Sequence, residues 1–429
     1  MNKIGFKKFA LDIDSGANFI IEELENNGYE GYVVGGCVRD IIMGRSPNDW
    51  DITTDAKPEE VMEIFDRTIP TGMQHGTITV LVGDESYEVT TYRIDGEYVD
   101  MRRPENVEFS KNIVDDLSRR DFTINAMAYN KRNGLIDEFG GIEDIKRKII
   151  KCVGEPDKRF NEDALRMIRA IRFSAKLGFN IDKETYLSME RNSSNIKKIS
   201  MERINKEIEE TIKYDCEKLS LLNDINISSW IFGDVLEEEK LCKAESIRCF
   251  LDKYDLYDED EEDMINTLKR VFIFENREVG EVKSALKRLR YSRKDVEKTF
   301  KLSNILRIYN YGLVTDENLT EQEKRVRIKY LLKDTNDIVL AKYAIYLKFI
   351  EKNTNPTVCF SIFNDIIDSG ECFSVSQLDL NGKDIIENNV AKGAAVGIIL
   401  NALLEYVIIH PEENEKEKLL AFAKNYKIV

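Results

Sequence analysis

Apolar and polar positions follow two different rhythms along this chain. In the first third, short runs of β-branched and aromatic residues alternate with polar ones. YVV (32–34), DWDITT (49–54), TITVLV (77–82) and SYEVTTYR (86–93) each predict a strand. Between them, KPEEVMEIF (57–65) predicts a helix with proline near its start, where a missing N–H costs nothing. Most of the glycine also falls early. From about residue 157 the apolar positions recur every three or four residues, in text rich in Leu, Ile, Lys and Glu that predicts helices. The expected fold is an α+β head over 1–145, a helical neck over 146–205, and a helical body and tail over 206–429. The acidic run DEDEED (258–263) predicts a solvated loop or helix start, and no internal repeat is present.

Composition narrows the possibilities. At 429 residues, two or more domains are expected. A chain with 42% hydrophobic and 33% charged residues fits a soluble globular protein, with no run long enough to span a bilayer and no signal peptide expected. Seven scattered cysteines without a CxxC pair predict reduced thiols in a cytoplasmic protein and argue against a zinc site. The net charge of −16 argues against a nucleic-acid partner unless bases are localised on one face. With only His75 and His410, a histidine cluster is excluded, and carboxylates with a metal become the default chemistry. His75 itself reads as a structural hydrogen-bonding residue.

GGCVRDIIMGRSPNDWD (35–51) concentrates candidate chemistry. Gly35 and Gly36 follow a strand and precede a helical run. Glycine lets backbone N–H groups approach an anion, a helix start favours negative charge, and Arg39 adds a charge-assisted contact. The same pair also fits an ordinary turn. Asp49 and Asp51 share one side of a strand, where two carboxylates repel unless a cation lies between them. Hard oxygen ligands at that spacing suit Mg²⁺ on nucleotide phosphates, although a surface turn with solvated aspartates fits a bare pair equally well. Glu88, on the alternating run 86–93, can bring a third carboxylate from a neighbouring strand. Three carboxylates on two strands describe a two-metal phosphoryl-transfer site.

GGCVRDIIMGRSPNDWDITT resembles the signature of the polymerase-β-like nucleotidyltransferases. More narrowly, the chain resembles class II tRNA nucleotidyltransferases (CCA-adding enzymes) and the related bacterial poly(A) polymerases. PTGMQHGTITV (70–80), YEVTTYR (87–93), DMRRPENVEF (100–109), RRDFTINAMA (119–128), GGIEDIKRKII (140–150), RFNEDALRMIRAIRF (159–173) and MERINKE (201–207) follow in the family's order. LNGKDII (380–386) and GAAVGIILNALLEYV (393–407) resemble its tail more loosely. The resemblance implies a polymerase-β-like head with all-α neck, body and tail. It implies addition of C, C and A to tRNA 3′ ends from CTP and ATP, two Mg²⁺ ions on Asp49, Asp51 and Glu88, and phosphate contacts from Gly36 and Arg39. It implies Arg120 and Asp121 in the nucleotide pocket, with Asp121 on the ribose hydroxyls. Asp121 also suits a helix cap for FTINAMA. Arg102 and Arg103 fall in the family's flexible loop, which helps switch from C to A addition.

On one α-helix, RFNEDALRMIRAIRF gathers Ala164, Met167, Ile168, Ile171 and Ala175 on one face. Asp163, Arg166, Arg169 and Arg172 fall on the other. This describes an amphipathic helix with solvated salt bridges, Asp163–Arg166 among them. It also describes a base reader: an aspartate accepts from the exocyclic amine of cytosine or adenine, and an arginine donates to the ring nitrogen beside it. The resemblance implies that Asp163 and Arg166 do this, with Arg169 and Arg172 also lining the nucleotide site. KRLRYSRK (287–294) is the best basic cluster outside the head, either tracking phosphates or forming an amphipathic surface helix. Poly(A) polymerases and A-only enzymes share these motifs. The flexible loop argues against a CC-only enzyme. The intact carboxylates and EDALR argue against an inactive RNA-binding protein, and EDALR with the long helical tail argues against a small-molecule nucleotidyltransferase. A monomer or a homodimer fits equally.

Overall fold

The computed structural model describes residues 11–96, 107–256, 262–275, 279–308, 315–316 and 318–426. It divides into two compact units, Met1–Leu236 with Arg288–Arg290, and Glu237–Lys287 with Tyr291–Val429. Among the described residues no helix is long and apolar enough to cross a membrane.

The first unit opens with α1 (Ser15–Asn26), β1 (Gly31–Val34), α2 (Gly36–Ile42), β2 (Asp51–Thr54) and α3 (Pro58–Ile64). β3 (Thr68–Gly72), β4 (Thr77–Val82) and β5 (Glu85–Thr91) follow, then a ribbon of β6 (Arg93–Asp95) and β7 (Val107–Phe109). After α4 (Ile113–Ser118) come β8 (Ala128–Asn130), β9 (Gly134–Ile136) and α5 (Gly141–Arg147). The described residues form a seven-stranded sheet in the order β3-β4-β5-β2-β1-β8-β9. Within it β2 and β5 run parallel and the other pairs antiparallel. GYVV of β1 is buried at every position, as an unbroken apolar run near the sheet centre requires.

The helical continuation comprises β10 (Ile149–Ile150), α6 (Pro156–Glu162), α7 (Leu165–Leu177), β11 (Asn180–Ile181), α8 (Lys183–Asn192) and α9 (Met201–Tyr214). Met167, Ile168, Ala170 and Ile171 of α7 are wholly buried, and the helix packs against α9. The second unit is helical throughout its described residues. Its last part closes on Leu380, Ile385, Leu403, Val407 and Leu419.

The predicted strand over 77–82 and the proline-started helix of 57–65 form as expected. Other elements differ. DWDITT is a strand only from Asp51, so Asp49 lies in the preceding loop rather than on the strand face. SYEVTTYR breaks at the buried Tyr92, whose N–H makes the last bond of the β2–β5 ladder, to the Thr54 carbonyl at 2.7 Å. FTINAMA is not a helix but a single turn, Thr123–Asn125, leading into β8. Its backbone is claimed by a neighbouring segment: Thr123 N–H donates to Lys151 and Val153 N–H to Asp121, at 2.9 and 3.1 Å. KRLRYSRK is a corner between helices Val279–Arg288 and Arg293–Ile308, with Tyr291 buried and Lys287, Arg288, Arg290, Arg293 and Lys294 exposed.

The expected single helix over 159–173 is two helices. Asp163 is extended, with φ −142° and ψ 103°, between α6 and α7. Its carboxylate accepts from the Leu165 N–H at 3.0 Å and from Arg203 of α9 at 2.7 Å. A side chain that bonds the backbone two residues on and pairs across to another helix favours the extended backbone seen here over a continued helix.

The turn at 123–125 is wedged against α5. A Cβ on Gly141 would lie 2.4 Å from the Thr123 carbonyl oxygen and 2.9 Å from the Met127 side chain. Gly141→Ala is therefore expected to destabilise the protein by about 1–3 kcal/mol through overpacking. Urea unfolding checks it: a lower midpoint with an unchanged m-value is the expected result.

Candidate active site

The site begins where β1 ends. Gly35 holds φ 82° and ψ −124°, and a Cβ there would approach Arg120 Nη1 to 2.8 Å. Glycine is the residue that tolerates both the left-handed φ and the close guanidinium. Its N–H donates to Met127 at 3.1 Å, which extends the β1–β8 ladder by one residue. One turn into α2, Arg39 is 3% exposed. It donates to Asp40 at 2.9 Å and to Asn125 Oδ1 at 2.5 Å.

Asp51 opens β2 and stands in register with Glu88 of the parallel β5, so the two carboxylates lie on adjacent strands at one level. Asp49 precedes them in the loop. The Asp51 pKa is raised, first by burial and then by the charges of Glu88 and Asp49, against the opposing charge of Arg120. Arg120 is the largest of these charge effects, so the shift is mainly the cost of desolvating the carboxylate beside two like charges. Among the described residues no group of three or more His, Cys, Asp or Glu is drawn together closely enough to hold a metal ion. The donor chemistry, hard carboxylate oxygens on adjacent strands, is nonetheless of the kind Mg²⁺ takes.

Across the cleft, cations and acids are matched. Asp121 Oδ1 accepts from the Phe122 N–H at 2.8 Å and from Asn125 Nδ2 at 3.1 Å. Its Oδ2 accepts from Arg169 Nε and Nη2 at 2.9 and 2.6 Å. Burial alone would raise its pKa, but Arg169 and these donors outweigh burial and hold it at about 2. Arg172 pairs with Glu207 of α9, which also lies 3.6 Å from Arg169. Arg120 reaches the buried Asp116 at 3.3 Å, while its Nε is buried with no hydrogen-bond partner among the described residues.

A polar cleft of about 280 Å³ joins these groups. Of the residues singled out in the sequence, Gly36, Arg39, Asp49, Asp51, Arg120, Asp121 and Arg169 line it, together with Gly35. Glu88, beside Asp51 on β5, does not line it. Asp163, Arg166 and Arg172 do not line it. Asp163 and Arg166 do not pair with each other either: Asp163 is held by Arg203, and Arg166 donates to Glu162 at 2.7 Å and to the Arg119 carbonyl at 2.8 Å. The arginine-bearing face of α7 is therefore not a solvated one. Arg166 is 8% exposed. Arg102 and Arg103 lie outside the described residues. His75 ends a short turn, with its carbonyl accepting from Arg93 and its ring 3.4 Å from Gln74 Nε2.

The comparisons with known proteins bear on the whole chain. Residues 31–151 match the poly A polymerase head domain, and residues 178–221 match the probable RNA- and SrmB-binding site of polymerase A. The CCA-adding enzyme of Lactobacillus helveticus is 52% identical over 188 residues, which are 44% of this chain and 47% of that protein. That of Geobacillus kaustophilus is 45% identical over 231 residues, 53% and 57% of the two chains. The matched segment thus spans about half the length of these curated relatives. A solved structure of the Bacillus stearothermophilus CCA-adding enzyme in complex with CTP extends the likeness, with 31% identity, TM-score 0.76 and 95% of both chains covered. The chain belongs to the family of CCA-adding enzymes and poly(A) polymerases. The family's head and helical architecture is the one described above.

Several residues of this family member's cleft escaped the sequence reading. Asn125 bridges Arg39 and Asp121; it sits inside RRDFTINAMA, but nothing in its type announced a link between two charged groups. Phe173 lines the cleft with Arg172, Arg169 and Arg39 at 4.1, 5.4 and 5.5 Å from its ring. Its position four residues after Arg169 was the available signal. Glu207 lay in the quoted MERINKE without a role. Asp40, Asn48 and Lys176 also line the cleft. Cys37 does too, but burial, with Asp51 nearby, pushes its thiol up to about 11, so it is no nucleophile at neutral pH.

The Asp121 shift fixes a sign. Its pKa falls from 3.8 to about 2 on folding, so its contribution is complete above the unfolded value and is lost as pH drops towards 2. Asp121→Asn is expected to cost about 2 kcal/mol at neutral pH and to flatten stability between about pH 4 and pH 2. Urea unfolding across that range, wild type against variant, measures both effects.

Proposed function

We propose that the protein is a template-independent tRNA nucleotidyltransferase that adds C, C and A to the tRNA 3′ end from CTP and ATP and releases pyrophosphate. The observation that carries this reading is the register of Asp51 with Glu88 beside a cleft that is also lined by Gly36, Arg39 and Arg120. The end-to-end likeness to a CTP-bound CCA-adding enzyme supports it. The tRNA 3′-hydroxyl attacks the α-phosphate in line. The new O–P bond forms as the bond to the β-phosphate bridging oxygen breaks, and pyrophosphate leaves.

In this reading Gly36 and Arg39 receive the triphosphate, and Arg120, which lines the same cleft, offers it a further cation. Asp49, Asp51 and Glu88 would hold two Mg²⁺ ions, which when bound make the 3′-hydroxyl more acidic and neutralise the leaving pyrophosphate. Asp121 accepts from a ribose hydroxyl while Arg169 keeps it ionised. Asp163 and Arg166 read the pairing edge of the base by exchanging Arg203 and Glu162 for it, with Arg169 and Arg172 bordering the same pocket. Arg102 and Arg103 belong to the loop that reshapes the pocket between C and A. The helical body and tail carry the tRNA, with exposed cations of 287–294 on its backbone. The free thiols fit a cytoplasmic protein.

The deciding assay supplies tRNAs ending before C, after C and after CC with each NTP separately, and sequences the products. Stepwise C, C and A is expected; A alone, or A in runs, would assign the A-only or poly(A) activity instead.

Asp51→Asn separates function from folding. Because the Asp51 carboxylate binds protons more tightly in the folded protein, its charge opposes folding above the unfolded pKa, so removing it should raise Tm at neutral pH. Nucleotide addition should fall by at least about 10²–10³-fold. Thermal unfolding and single-turnover addition measure the two effects; a stable variant with wild-type turnover would reject the metal role.

Asp163→Ala addresses base choice. Loss of one good edge contact should narrow the CTP-over-UTP ratio of kcat/KM by about 10-fold or more. An unchanged ratio would leave Asp163 as a helix cap and the partner of Arg203.

A further inference from the structure

Lys176 closes the α7 wall of the cleft, beyond Arg169 and Phe173. It lies ten residues after Arg166, or about 15 Å along the helix axis, and within about 20° of Arg169 around it. The side chain is half-buried, with Nζ 5.5 Å from the centroid of the Tyr214 ring. It makes no salt bridge among the described residues.

The charges around it are mostly committed elsewhere. Asp40 is paired with Arg39 at 2.8 Å. Arg172 is paired with Glu207. The remaining acid facing Lys176 is Glu210 of α9. Burial first, and then the nearby Arg39 charge, hold the Lys176 pKa below its ordinary value. An ammonium set among cations in a polar cleft is best accommodated when an anion joins it.

We propose that Lys176 binds the terminal phosphates of the incoming nucleoside triphosphate, those that leave as pyrophosphate. This rests on the nucleotidyltransferase reading for its direction: base towards Arg166, phosphates towards Arg39. The axial separation of Arg166 and Lys176 is comparable to the span of an extended nucleoside triphosphate. A lysine in the last turn of a helix also suits the helix dipole. That role would change stability without distinguishing one ligand from another.

Equilibrium binding of CTP, CMP and pyrophosphate to the full chain, wild type against Lys176→Gln and Lys176→Arg, tests the assignment. Lys176→Gln should weaken CTP and pyrophosphate by roughly tenfold and CMP by less than about twofold, because CMP lacks the phosphates concerned. Lys176→Arg should recover most of the affinity. Retained CMP binding certifies the fold of each variant. Equal weakening of all three ligands, or none, overturns the proposal. So does a rise in the tRNA KM with CTP and pyrophosphate binding unchanged, which would place a primer phosphate at Lys176. A wild-type protein that binds CTP and pyrophosphate but extends no tRNA would overturn the reaction while leaving Lys176 to be judged by the same ratios. A wild type that binds neither overturns both.

Discussion

Asp121 is a buried carboxylate, and the way its charge is satisfied ties the head to the helices that follow. A carboxylate removed from water is costly unless its oxygens are fully engaged. Here the Phe122 N–H, Asn125 and two nitrogens of Arg169 engage them. The first two donors belong to the turn before β8, and Arg169 belongs to α7. Asn125 passes the constraint on to Arg39 of α2, and Arg169 and Arg172 pass it to Glu207 of α9. The edge-to-face contact of Phe122 with Phe173, 5.7 Å between centroids, supplies the apolar part of the same junction. The cleft is the space this junction leaves open.

Two aspartates on that cleft show how surroundings assign roles to one residue type. Asp121 is driven down because Arg169 and neutral donors engage it, whereas Asp51 is driven up because desolvation, with Glu88 and Asp49 nearby, outweighs the opposing charge of Arg120. The first is paired directly with an arginine, and the second is not. Arg39, Arg120, Arg169 and Lys176 are gathered on one cleft together with Asp40, Asp49, Asp51 and Asp121, so opposite charges are concentrated at one place in a chain of net charge −16.

Much of this was legible in the sequence wherever a single element governs its own burial. TITVLV alternates because one face of β4 is buried, and KPEEVMEIF begins at its proline. Gly35 had to be glycine to turn from β1 into α2 beside Arg120. Of the residues the family motifs pointed to, Gly36, Arg39, Asp49, Asp51, Arg120, Asp121 and Arg169 line the cleft, whereas Glu88, Asp163, Arg166 and Arg172 do not. What the tertiary structure alone decided are the relations between distant segments. Glu88 meets Asp51 because β5 pairs in parallel with β2 at one register, and a one-residue slip would turn it to the other face. FTINAMA gave up its helix because residues 151–153 offered its backbone other partners. RFNEDALRMIRAIRF broke at Asp163 because Arg203, 40 residues further on, holds that carboxylate. Periodicity records which side of an element meets the core. It carries no record of a hydrogen bond or ion pair whose other half lies elsewhere in the chain, and such pairs set the geometry of this cleft.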